Sequence, residues 1–177
     1  RNHSSIVGLP KFLPSFAGHS FTKEISNLDF FLNKSKKPNI AIIGGSKIST
    51  KIKVIYNLIN FFDSIVIGGA MANTFLLSNS NNIGNSLVEK NYIKVAKDIQ
   101  SKALIKSCKI ILPIDVVCSK SLKNKNNLKK CNVDEVYDDD MILDVGEKTT
   151  NLISNEILKC RSLLWNGPLG AFEFKPF

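Results

Sequence analysis

The chain has 177 residues, 44% of them hydrophobic and 22% charged, which is typical of one globular domain with its own core and too short for two large ones. No stretch of 18 apolar residues occurs, so the sequence predicts no transmembrane helix and no membrane partner. The net charge of +9 suits an anionic ligand such as a nucleotide. A nucleic-acid surface is the other interpretation, but the lysines are scattered over the chain, which favours ordinary solvated faces.

Hydrophobic periodicity predicts strands alternating with helices. Residues 1–18 form an irregular lead-in with one candidate short strand. Helices are expected at 19–34, 49–60 (with Ser49 as a candidate cap), from Ala70 over a short stretch, at 89–107 and at 148–159. Strands are expected at 40–43, 64–67, 109–112 and 162–165, shorter extended pieces at 115–119 and 141–145, and a polar loop at 120–130.

This alternation predicts βαβ units. We therefore expect an α/β fold with three αβα layers and a mostly parallel sheet, of the Rossmann-like nucleotide-binding class. Cys108, Cys118, Cys131 and Cys160 show no C-x-x-C spacing, so we interpret them as reduced structural thiols of a cytoplasmic protein.

Glycines follow three of the predicted strands. Gly44-Gly45 follows the first strand, Gly68-Gly69 the second, and Asn166-Gly167-Pro168-Leu169-Gly170 the last. The carboxyl ends of parallel strands are where ligands collect, and glycine lets the backbone approach a ligand closely. A tight turn without a ligand explains one such loop, but three in one sheet favour a nucleotide site. The P-loop and the G-x-G-x-x-G fingerprint are both absent.

Two lysines add the charge that such a site needs. Lys47 and Lys51 lie four residues apart across a predicted helix start, where both amines and the free N–H groups would face phosphate oxygens. Two solvated lysines remain the alternative. Because His3 and His19 both lie near the chain start and no nucleophilic triad emerges, positioning and charge neutralisation, as in phosphoryl transfer, fit better than covalent catalysis.

Four motifs carry a resemblance to a known family. The segments 41–52 (AIIGGSKISTKI), 67–76 (IGGAMANTFL), 112–117 (LPIDVV) and 165–173 (WNGPLGAFE) resemble phosphoglycerate kinase, as do 1–5 and 11–14. The resemblance runs in order over essentially the whole chain. It implies a lead-in from a substrate domain at 1–18 and a nucleotide-binding domain at 19–177 that is incomplete at its C-terminus.

The resemblance also assigns roles to residues. Lys47 would steady the phosphoryl group in flight, and Arg1 would belong to the basic patch on the substrate side. The nucleotide-binding residues implied are Gly44, Gly45, Gly68, Gly69 and Leu143 around adenine, Asn166, Pro168 and Gly170 on the other side and along the phosphate path, Lys51 at the phosphates, and Glu173 at the ribose. Ala70 and Ile142 replace glycines usual in the family, and Leu122 often corresponds to Phe.

The implied reaction transfers a phosphoryl group between 1,3-bisphosphoglycerate and ADP, giving 3-phosphoglycerate and ATP in glycolysis. Mg²⁺ would act as part of Mg-ADP or Mg-ATP. The family's magnesium-associated Asp would lie beyond Phe177, so we expect no metal ligand in this chain. Phosphoglycerates would bind only with the substrate domain. We expect a monomer with no nucleic-acid partner, and an isolated chain that is inactive; a catalytically inactive nucleotide-binding remnant is the alternative.

Overall fold

A computed structural model describes residues 2–122, 128–174 and 177, and the chain divides into two compact units, residues 1–35 and 36–177. The first unit begins with a π-helical turn, Ser4–Gly8, and a 3₁₀ turn, Leu9–Lys11, where we predicted one short strand, so that prediction is wrong. Helix α1, His19–Lys34, occupies the predicted range. The division after residue 35 groups α1 with the lead-in, whereas the sequence suggested a boundary at residue 18.

The second unit alternates strands and helices as the hydrophobic pattern predicted. Its strands are β1 (Asn39–Ile43), β2 (Ser64–Ile67), β3 (Lys109–Ile111), β4 (Asp115–Ser119), β5 (Lys129–Asn132), β6 (Met141–Val145) and β7 (Ser162–Asn166). Its helices are α2 (Ile52–Leu58), α3 (Met71–Ser78), α4 (Ile93–Ile105) and α5 (Glu147–Lys159). In the described residues no helix is both long and apolar enough to span a bilayer.

A four-stranded parallel sheet with the order β3-β2-β1-β7 forms the centre of this unit. Strand β1 lies between β2 and β7, and all five of its residues are buried. The last strand of the chain thus pairs with the first, and Asn166 lies opposite Ile43 in the register. This pairing brings the carboxyl ends of β1, β2 and β7 to one edge.

Both faces of the parallel sheet are covered, as the α/β interpretation requires. On one face Ile40, Ile42 and Val66 pack with Ile153 of α5. Side chains alternate along a strand, so Ala41, Ile43, Ile65 and Ile67 point to the other face, and each is at most 1% exposed. The predicted layers with a parallel sheet between helices are confirmed.

A second sheet was not predicted. Strands β5, β4 and β6 form an antiparallel sheet in that order. The extended character of 115–119 and 141–145 was recognised. Strand β5 begins at Lys129, inside the expected polar loop, and its lysines interrupt the apolar alternation by which a strand is recognised in a sequence. Residues 123–127 of that expected loop lie outside the described part of the chain.

The antiparallel sheet is joined to α5 by a buried aspartate. The carboxylate of Asp115 accepts hydrogen bonds from the backbone N–H of Lys148 (2.9 Å) and of Thr149 (2.7 Å), and it therefore satisfies free donors at the start of α5. Burial alone would raise the pKa of Asp115, but a hydrogen bond from the Thr149 hydroxyl (2.6 Å) together with these backbone hydrogen bonds outweighs it and lowers the pKa. The cap thereby fixes β4 relative to α5.

The cysteines are unpaired, in agreement with the sequence interpretation. Burial raises the pKa of Cys108 to about 11 and that of Cys118 to about 12. Because the thiolate is the reactive form, both thiols are unreactive at neutral pH.

Candidate functional site

The three glycine loops (residues 44–45, 68–69 and 166–170) interlock through backbone hydrogen bonds. Gly44 donates its N–H to the carbonyl of Asn166 at 2.8 Å, and Gly69 donates to Leu169 at 2.8 Å. The N–H of Met71, at the start of α3, bonds the carbonyl of Gly45 at 3.0 Å. The loops therefore form one continuous surface at the edge of the sheet.

Glycine is required in these loops because their backbones pack closely against one another. A Cβ on Gly44 would lie 1.9 Å from the carbonyl oxygen of Pro168. Gly69 has φ +68°, and a Cβ there would lie 2.6 Å from the carbonyl oxygen of Gly45. The sequence interpretation placed these glycines against a ligand. In the structure, the backbone of one loop also contacts the backbone of another loop at the same positions.

A cavity of about 490 Å³ opens beside the loops, within the range typical of small-molecule sites. Six of the predicted nucleotide residues line it: Gly45, Gly69, Leu143, Pro168, Gly170 and Glu173. Gly44, Gly68, Lys47, Lys51 and Asn166 do not line it, and Gly68 instead packs against Leu169. Ala70, Ile142 and Leu122, which depart from the family pattern, all line the cavity. Arg1 lies outside the described residues.

Sequence reasoning missed several residues of the cavity wall. Asn73 and Leu87 line it from α3 and the segment after α3, and Phe172 lines it near Glu173. Asn73 lies within the segment 67–76, so the resemblance of that segment to the family could have indicated it. The contribution of Leu87 depends on how the segment after α3 folds back, which periodicity does not indicate.

Lys51 lies between the loops after β1 and β7. Its amine donates to the carbonyl of Gly44 at 2.7 Å and to Oδ1 of Asn166 at 2.6 Å. Burial lowers the pKa of Lys51, because the charged form loses hydration there. A phosphate group at this position would compensate that loss. The structure thus places the side chains of Lys51 and Asn166 in direct contact.

Lys47 is exposed and precedes a 3₁₀ turn, Ile48–Thr50, after which α2 begins at Ile52. We predicted a helix over 49–60 capped by Ser49, and this is wrong in two respects. Helix α2 spans only seven residues, so its dipole is small, and Ser49 bonds Glu89 instead of capping a helix. The two lysines therefore flank a short turn.

Asp144 is a half-buried carboxyl on the cavity wall that the sequence analysis did not single out. A Cβ on Gly170 would lie 2.0 Å from its Oδ1, so the carboxyl packs directly under the last glycine loop. Burial raises the pKa of Asp144, and a hydrogen bond from the N–H of Val145 (2.8 Å) opposes that shift only in part.

The raised pKa of Asp144 predicts a pH-dependent stability. The folded state holds the proton more tightly than the unfolded state, so this contribution is full below the ordinary aspartate pKa and is lost as pH rises through the raised value. Asp144→Asn, which mimics the protonated form, should raise the unfolding midpoint at pH 7 by about 2–4 °C, equivalent to ~1 kcal/mol. Thermal unfolding from pH 7 down to about pH 4 should show this advantage shrinking.

The control for this measurement is Asp134→Asn, which removes an exposed carboxylate from the turn Val133–Glu135. Its unfolding midpoint should track that of the unchanged chain at every pH. A loss of stability at pH 7 for Asp144→Asn would contradict the assignment of an unfavourable buried charge.

A parallel sheet covered on both faces, with glycine loops and a cationic side chain at the carboxyl ends of its strands, defines an α/β protein with a Rossmann-like fold. The phosphoglycerate kinase family model matches residues 1–177, the whole chain. The chain belongs to the phosphoglycerate kinase family.

Individual relatives agree with the family match. The phosphoglycerate kinase of Mesorhizobium japonicum is 45% identical over 177 residues, which covers all of this chain and 44% of that protein. That of Finegoldia magna is 43% identical and is covered to 45%. The chain therefore spans less than half the length of the curated relatives it matches.

Solved structures share the fold. The phosphoglycerate kinase of Coxiella burnetii superposes with a TM-score of 0.84 at 34% identity, over 87% of this chain and 40% of that one. The enzyme of Pyrococcus horikoshii OT3 gives a TM-score of 0.80 at 24% identity, over all of this chain and 45% of that one, which is a likeness of fold alone.

Proposed function

We propose that this chain binds adenine nucleotides in the cavity beside the glycine loops and forms the nucleotide half of a phosphoglycerate kinase. One observation carries the proposal: the Lys51 amine lies between the loops after β1 and β7, and Gly45 and Gly170 of these loops line the cavity. A mostly apolar cavity suits a base, and a desolvated ammonium beside it suits phosphate.

The individual contacts follow from position. Leu143 and the glycine backbone would border the base, and Glu173, exposed on the cavity rim, would accept hydrogen bonds from the ribose hydroxyls. Lys51 and Asn166 would hold the nucleotide phosphates. Lys47, exposed just before the turn, would reach the transferred group. Arg1 would contribute on the side of the second substrate.

The reaction proposed for the whole enzyme is phosphoryl transfer between 1,3-bisphosphoglycerate and ADP. Mg²⁺ would arrive as part of the nucleotide substrate, since this ion is commonly held by phosphates and one or two carboxylates. Within the described residues, no group of three or more His, Cys, Asp or Glu could hold a metal ion. A monomeric state and a cytoplasmic location stay predictions.

Calorimetry with ADP tests the proposal on the 177-residue chain. Base and ribose contacts come from residues that line the cavity, whereas Lys51 and Asn166 would be the main contacts of the nucleotide phosphates. We therefore expect a Kd of about 100 μM to 1 mM, or roughly −4 to −5.5 kcal/mol. The absence of heat or chemical-shift change up to several millimolar ADP would refute nucleotide binding.

A coupled kinase assay on the same sample tests whether these residues suffice for catalysis. Phosphoryl transfer depends on positioning both substrates, so we expect a rate far below the ordinary enzyme median of about 10 per second. A rate within about tenfold of that median would show that residues 1–177 position both substrates by themselves.

A further inference from the structure

Glu89 connects two parts of the site that lie far apart in sequence. Its carboxylate accepts hydrogen bonds from the backbone N–H of Ser49 at 2.9 Å and from the Ser49 hydroxyl at 2.6 Å. Glu89 thus satisfies the N–H of Ser49 in the Ile48–Thr50 turn, one of the early N–H groups that have no partner within the turn itself.

The backbone around Glu89 is held by the wall of the cavity. Leu87, which lines the cavity, accepts a hydrogen bond at its carbonyl from Nδ2 of the buried Asn73 at 3.0 Å. The N–H of Glu89 donates to the hydroxyl of Thr74 at 3.3 Å. Since Asn73 and Thr74 are buried in α3, the segment 87–89 is anchored to a rigid element.

The charge of Glu89 is favourable in this position. Burial by itself would raise its pKa, but the hydrogen bonds from Ser49 and Ile48 and the nearby charge of Lys47 outweigh burial and lower the pKa. The carboxylate is therefore ionised at neutral pH, and hydrogen bonds to an ionised acceptor are stronger than neutral ones.

The turn that Glu89 holds is flanked by the two lysines. Lys47 directly precedes Ile48, and Lys51 directly follows Thr50. The backbone N–H of Lys51 donates to the carbonyl of Ile48 at 2.8 Å. A shift of this turn would move the backbone of both lysines together. Two residues on a flexible loop would otherwise lose entropy when a phosphate orders them.

We propose that Glu89 is a positioning residue: it ties the lysine turn (residues 47–51) to the cavity wall, so that Lys47 and Lys51 are already placed for phosphate when the base is bound. This inference rests on the proposed nucleotide function. Glu89 itself touches no nucleotide and acts through Ser49. Its removal should therefore affect ligands that carry phosphate and leave adenosine binding unchanged.

Two conservative variants separate position from charge. Glu89→Asp keeps the charge but is one methylene short of Ser49. Glu89→Gln loses the charge but keeps the reach, because its amide oxygen can accept from the Ser49 N–H while its NH₂ donates to the Ser49 hydroxyl. Glu156→Asp is the matched control, since it shortens a half-buried carboxylate on α5 that pairs with Lys109.

Calorimetry with ADP and with adenosine is the measurement. We expect Glu89→Asp to weaken ADP binding about fivefold, which corresponds to about 1 kcal/mol. Adenosine binding should stay within about twofold for every variant, and ADP binding to Glu89→Gln and Glu156→Asp should also stay within about twofold. Unfolding midpoints recorded on the same samples show that each variant is folded.

Several results would overturn the inference. Unchanged ADP binding to Glu89→Asp would show that the lysine turn holds its place without Glu89. Equal losses for ADP and adenosine would place the effect on the base wall, and a loss confined to Glu89→Gln would show that charge and not position matters. If the unchanged chain bound ADP but none of these differences appeared, the proposed nucleotide function would stand while the role of Glu89 would fall.

Discussion

Lys51→Ala is expected to weaken ADP binding by about 1.5–3 kcal/mol, roughly tenfold to hundredfold, while adenosine binding changes little. The reason is the position of the amine, which lies 2.7 Å from the Gly44 carbonyl and 2.6 Å from Asn166 Oδ1 in a partly desolvated setting. An ammonium that is already partly desolvated and oriented gains more from a phosphate than a fully solvated one. NMR titration with both ligands measures the difference.

Two further variants make the comparison specific. Lys53→Ala removes an exposed lysine two residues along α2 and should leave both affinities unchanged. Glu173→Gln should weaken ADP and adenosine about equally, because both ligands carry the same ribose. Equal losses of ADP and adenosine on Lys51→Ala would refute a phosphate role for Lys51, whatever Glu173→Gln shows.

Gly44→Ala is expected to destabilise the fold by about 3 kcal/mol or more, the range of changes that force a clash in a buried, rigid region. The added Cβ would lie 1.9 Å from the carbonyl oxygen of Pro168 and 2.9 Å from that of Gly167. Backbone atoms on both sides have no side-chain rotation with which to escape. Urea denaturation followed by circular dichroism measures the loss.

Two other glycines calibrate that result. Gly18→Ala meets nothing within 4 Å, and its φ of −70° suits alanine, so its stability should change by less than about 0.5 kcal/mol. Gly68→Ala meets chiefly the end of the Leu169 side chain, which can rotate, so it should cost less than Gly44→Ala. A Gly44→Ala chain as stable as Gly18→Ala would contradict the interlocking of the loops.

The sequence alone determined the parallel half of the fold. Isoleucine-rich strands β1 and β2 are buried on both faces, so they appear as continuous apolar runs bounded by polar residues and glycine, and their predicted bounds agree with the structure within one residue. Helices α1 and α5 were equally clear, because each shows a regular apolar stripe. The motifs around Gly44, Gly68 and Asn166 also predicted a candidate site at the edge of the sheet where these loops lie.

Local pattern was insufficient where partners distant in sequence decide the structure. Strand β5 is rich in lysine and forms a strand because β4 offers it free backbone groups, so no apolar alternation marks it. The lysine turn is held by the Glu89 carboxylate, 40 residues later, which accepts the N–H of Ser49, and no local pattern indicates that contact.

The same reasoning applies to the site. Residue identity indicated that glycine and lysine would meet a nucleotide, but the interlocking of Gly44 with Pro168 and the pairing of Lys51 with Asn166 depend on β7 lying beside β1. Contacts between residues more than a hundred positions apart leave no periodic trace in either segment. Only the tertiary structure decides them, since their energy comes from backbone and side-chain groups that folding alone brings within reach.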